Sequence, residues 1–200
     1  MLEFPKLCSE YMTLVSLLIE YFPDRLSQLP SSLLDSLIQS LLFGTQQNFS
    51  GISDISFKAI QSLALYAWAE SMMTQNDMSY LTTSIDGMLQ QIMHALLYQP
   101  LDSSILNDAA NAIFALSLCK PELFFNILNS ILNQHQMIDI INKLYENFSN
   151  LSTIQKQKLF DGKFSIGWGS PGLERLPSLN SFRKLFITFV MDSRTTVIIK

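Results

Sequence analysis

Apolar residues recur along most of the chain at alternating steps of four and three, the spacing of one face of an α-helix. Leu7, Tyr11, Leu14, Leu18 and Tyr21 set this pattern and form the predicted core face of a first helix. That helix should end near Phe22-Pro23, because the residue before a proline is pushed out of the α region. A second begins at Ser31 or Ser32, where Ser32 and Asp35 have capping-box spacing with a shorter acid than usual. Leu34, Leu37, Ile38, Leu41 and Leu42 make its face, and Gly44 reads as its C-terminal stop. The two helices form a first antiparallel unit.

The pattern then repeats. Ile52, Ile55, Ala59, Leu63 and Tyr66 open a third helix that runs to about Met73, followed by a polar stretch around Gln75 to Thr83. Ile85, Leu89, Ile92, Met93, Leu96 and Leu97 make a fourth, closed by Pro100. Asp102 is placed to cap a fifth, with Ile105, Ala109, Ala112 and Leu116 on one face. Its small residues Ala109, Ala110, Ala112 and Ala115 let a neighbouring helix approach closely. Pro121 stands at the first position of a sixth helix, where its missing N–H costs nothing. Leu123, Phe124, Ile127, Leu128, Ile131 and Leu132 carry that helix, and a seventh spans roughly Met137 to Phe148. Ser152 and Gln155 have capping-box spacing for an eighth.

The odd-numbered helices start about 45 to 50 residues apart over the first three units, the period of paired-helix HEAT-type repeats. Each pair has an apolar face it cannot bury alone, so stacking on its neighbours supplies the core. The sequence therefore predicts an all-α, HEAT-like α-solenoid of about four antiparallel helix pairs over residues 1–160, in preference to a compact bundle. Residues 161–180 break the rule. Gly162, Gly167, Gly169, Pro171, Gly172 and Pro177 make this a Gly/Pro-rich loop. In 181–200, Phe182, Leu185, Phe186 and Phe189 resume helical spacing, while the β-branched Val197-Ile198-Ile199 is ambiguous.

Composition narrows the function classes. Hydrophobic residues are 48% of the 200 and charged residues 15%, which excludes intrinsic disorder. Thirteen basic against seventeen acidic side chains give a net charge of −4. With no basic surplus or stripe, nucleic-acid binding is not expected. Glu3, Lys6 and Glu10 interrupt the opening segment as a signal peptide, and the best apolar run, Leu14 to Ile19, is too short to span a membrane. The expectation is an intracellular, reduced, soluble protein.

No candidate chemistry survives inspection. Cys8 and Cys119 lie far apart in apolar helical patterns and read as buried thiols behaving as small hydrophobes. His94 and His135 are the only histidines and have no ligand partners at zinc spacing. Glu3, Glu10 and Glu20 are scattered, without a close pair for acid–base work. Gly167-Trp168-Gly169-Ser170-Pro171-Gly172 matches GxGxxG, but it lies outside the strand-to-helix context that gives that motif meaning, so it reads as loop. The Asn48-Phe49-Ser50 and Asn147-Phe148-Ser149 sequons have no role in an intracellular chain. Lys156 and Lys158, between Gln155 and Gln157, read as a solvated helix face, with docking of an acidic partner as the other reading. No residue is assigned to catalysis, to a metal, to a cofactor or to a partner.

Several stretches are more specific than generic repeat. They are Phe4-Pro5-Lys6-Leu7-Cys8-Ser9-Glu10-Tyr11, Ile19-Glu20-Tyr21-Phe22-Pro23 and Gln28-Leu29-Pro30. Leu37 to Gly44, Ile141-Asn142-Lys143-Leu144 and Gln155-Lys156-Gln157-Lys158 add to them. Together they resemble the C-terminal region of the exportin-4 family of nuclear transport receptors, in the importin-β superfamily. The resemblance covers about residues 2 to 160.

It implies a non-enzymatic HEAT-repeat receptor without cofactors. Such a receptor wraps Ran-GTP and protein cargo, contacts nuclear pore proteins and shuttles between nucleus and cytoplasm. It also implies that this chain corresponds to the C-terminal arch, whereas the family's main Ran contact lies in N-terminal repeats. An apolar face is then expected where further repeats would stack, with self-association of the isolated chain. The Gly/Pro segment departs from the family pattern and reads as an insertion. The alternative is a free-standing helical-repeat scaffold that docks one protein partner.

Overall fold

A computed structural model describes residues 5–26, 28–47, 50–74, 79–99, 102–131, 135–149 and 177–198, and the fold is all-α. Among the described residues there is no strand. In chain order the elements are α1 (Pro5–Tyr21), α2 (Pro23–Leu26), α3 (Ser31–Thr45), α4 (Ser50–Thr74) and α5 (Ser79–Tyr98). A 3₁₀ turn (Ser103–Ile105) then leads into α6 (Leu106–Cys119), α7 (Pro121–Ile131), α8 (His135–Ser149) and α9 (Pro177–Ile198).

α4 and α6 are the centre. Every residue from Ala59 to Ala69 and from Ala109 to Leu118 is buried, so both helices are covered on all sides over these stretches. A helix that is enclosed in this way cannot keep a polar face. The two pack on each other more extensively than any other pair, and both are rich in alanine, which admits close approach. The Cys119 thiol fastens them by donating to the Ala64 carbonyl at 3.1 Å. α1 and α3 pack against α4; α5 packs against α3 and α6; α9 crosses α5, α6 and α8. Buried hydroxyls are satisfied within their own helices: Ser56, Ser117 and Ser193 donate to Ile52, Phe114 and Phe189 carbonyls at 2.7–2.8 Å.

An aromatic cluster holds the C-terminal half. Phe182 of α9 sits 5.1 Å from Phe114 of α6 and 5.9 Å from Phe124 of α7, and stacks on Phe186 at 5.6 Å. Phe125 of α7 meets Tyr145 of α8 edge-on at 4.9 Å. Such pairs contribute roughly 0.5–1.5 kcal/mol each beyond their buried area.

Four expectations need correction. Gly44 does not stop α3: it lies inside the helix, which continues to Thr45. A Cβ at Gly44 would overlap Ser56 Oγ and come within 3.1 Å of Met12 Cε, so glycine is there for close contact between helices. The Ser32–Asp35 capping box is absent; α3 starts at Ser31, one of the two expected positions, behind Pro30, and Ser32 gives its carbonyl to Ser36 Oγ. Pro177 does not belong to the loop but opens α9, as its fixed φ and missing N–H permit. The core face expected for α1 is the fourth, described below. Val197 and Ile198 are helical. Asp102 caps the 3₁₀ turn that leads into α6, accepting from the Ser104 amide at 2.8 Å, and α6 itself begins behind Ile105 without a side-chain cap. The helix expected from Ser152 and residues 161–176 lie outside the described residues.

Candidate functional site

α1 carries two apolar stripes, each at four-and-three spacing. Cys8, Met12, Val15 and Ile19 make one, and all four are buried. Leu7, Tyr11, Leu14, Leu18 and Tyr21 make the other, offset by one residue and so about 100° away around the helix at 3.6 residues per turn. The second is the stripe that the sequence assigned to the core, yet Leu7 is 64% exposed, Leu14 56%, Leu18 42% and Tyr21 60%. Only Tyr11 is half-buried. One helix can turn only one side to α4; Met12 fits beside Gly44 and Ser56, where space is shortest, and Cys8 clusters with Met12 and Ile52.

α3 borders the outer stripe. Tyr11 donates a long hydrogen bond of 3.4 Å to Ser40 Oγ, which links α1 to α3. Leu33 of α3 is 53% exposed. Leu17 and Phe22 are exposed as well. The result is a continuous uncharged apolar strip along the outer side of α1. Patches beyond a few hundred Å² mark interaction surfaces in soluble proteins.

The residues considered for chemistry are not brought together. Cys8 lies against the α1–α4 contact and Cys119 against α4. Burial pushes the Cys119 thiol up to about 12, outweighing the opposing pull of the Lys120 ammonium, so it is held as the inert thiol. His94 is exposed and packs on Tyr98 with ring centroids 4.9 Å apart. His135 begins α8. Glu10 pairs with Lys6 at 4.0 Å on the surface of α1. Among the described residues no group of three or more His, Cys, Asp or Glu is placed to hold a metal. The Gly167–Gly172 motif, Lys156, Lys158, Glu3 and Asn48 lie outside the described residues. Asn147 and Phe148 are half-buried in α8.

Two arginines of α9 are used structurally. Arg183 directs Nε and Nη2 at the side-chain oxygen of Asn111 on α6, and Arg194 Nε donates to the Leu96 carbonyl of α5 at 2.6 Å. Tyr66, buried on α4, is pushed up to about 12 by burial and then by the Glu70 carboxylate. Among the described residues no single helix is long and apolar enough to cross a membrane. The stretch Ser103–Cys119 with Pro121–Ser130 reaches that hydropathy only as a pair bent by 119°.

The exposed strip was present in the sequence as a heptad-like pattern, but it was assigned to the core. No protein-family profile matches the chain, and no solved structure matches it significantly.

Proposed function

We propose that the chain is the C-terminal part of an exportin-4-like nuclear export receptor, a non-catalytic HEAT-like solenoid with pairs α1/α3, α4/α5, α6/α7 and α8/α9. The order of helix packing supports the helix-repeat part of this reading, and the export part rests on the resemblance of residues 2 to 160. The first helices of successive pairs lie side by side, α1 on α4 and α4 on α6, and among the second helices α3 lies on α5. Side-by-side contacts of this kind are what stacked helix pairs would use to bury a common core. In this reading the receptor binds Ran-GTP and cargo together, each favouring the same curvature, so each tightens the other by the same factor. It passes nuclear pore proteins and shuttles between nucleus and cytoplasm. The 200-residue chain by itself then binds Ran-GTP weakly or not at all.

Immunoblotting of native extracts with an antibody against residues 100–150 tests the reading. A band several times larger than 22.7 kDa supports it. A single band near 22.7 kDa overturns it.

A free-standing scaffold docking one protein is the second reading, favoured by the position of α9. After α3 and α5 the second row is continued by contact with α9, which also lies on α6 and α8. A helix folded back in this way closes the stack with the chain's own residues. Partner binding insensitive to the nucleotide on Ran would favour the scaffold.

A further inference from the structure

We draw no further inference here: the strongest candidate, the exposed apolar stripe of Leu7, Leu14, Leu18 and Tyr21 along the outer side of α1, is an unpartnered helix face, and nothing in the structure shows what covers it.

Discussion

Arg183 donates two hydrogen bonds, from Nε at 3.2 Å and Nη2 at 2.9 Å, to the single side-chain oxygen of Asn111, 72 residues earlier in the chain. Asn111 is buried in α6, whose other buried residues are alanine, leucine, isoleucine and phenylalanine together with Ser117. An amide there is tolerated because its oxygen is used twice. The same contact orients α9, whose far end is held by Arg194 on the Leu96 carbonyl. Polar atoms thus fix the angle of a helix whose affinity for the core comes from Phe182, Phe186, Phe189 and Val190.

Replacing Asn111 by leucine removes the acceptor and leaves the half-buried guanidinium without this partner. Hydrogen bonds to a charged group contribute about 1.5–3 kcal/mol, which in a domain of this size lowers Tm by roughly 4–10 °C. Asn111→Asp keeps the acceptor and adds the opposite charge, so its loss should be smaller. Thermal unfolding followed by circular dichroism ranks the two. Equal losses would show that amide shape, not the arginine contact, matters at this position.

Gly44 and Gly87 separate packing from propensity. Alanine is the better helix former by about 1 kcal/mol in a helix interior. At Gly87 in α5 a Cβ meets nothing within 4 Å, so Gly87→Ala should stabilise by about 0.5–1 kcal/mol. At Gly44 the new Cβ collides with Ser56, whose Oγ is tied to the Ile52 carbonyl, and presses on Met12. Gly44→Ala should therefore destabilise by about 1–3 kcal/mol, the cost of overpacking. Adding Ser56→Ala should recover part of the loss. Urea midpoints of the three variants give opposite signs for the two glycines if the contact is real.

Phe182→Ala tests what holds α9. Phe182 is 1% exposed and has three aromatic neighbours, Phe114, Phe124 and Phe186. Truncation of a buried phenylalanine costs about 3–5 kcal/mol. Faster hydrogen exchange should then appear in α9 and along α6, with α1 and α3 changed least. Uniform acceleration through the whole chain would show one cooperative unit instead.

The periodic stretches were legible wherever a helix has one apolar side. Leu34, Ile38, Leu41 and Leu42 in α3, and Ile85, Leu89, Ile92 and Leu96 in α5, are all buried as their spacing predicts. α1 was misread because it has two stripes of equal regularity, and the larger side chains made the outer one look like core. Which stripe α4 takes depends on local volume at Gly44 and Ser56, a tertiary fact that no window of α1 contains. Gly44 and Pro177 were misread for a related reason. Glycine marks a helix end or a close approach, and proline marks a break or a first turn, and neither identity alone separates the two. The candidate site was legible as a pattern and illegible as a surface for that same reason.

Alkaline pH should destabilise the fold through two named groups. Burial raises the Cys119 thiol from 9.0 to about 12, and burial together with Glu70 raises the Tyr66 phenol from 10.0 to about 12. In the unfolded chain both ionise near their ordinary values, whereas the native state holds its protons longer. The unfolded state therefore binds fewer protons between about pH 9 and pH 12, and stability falls as pH rises through that window. Below pH 9 the contribution is fully present. Tyr66→Phe should remove the part of the slope above about pH 10, and Cys119→Ala the part that begins near pH 9. Urea midpoints in reductant, measured at half-unit steps from pH 8 upward, read both slopes. A wild-type curve that is flat to pH 11, or one unchanged by either substitution, would mean that neither group keeps its proton in the native state longer than in the unfolded chain.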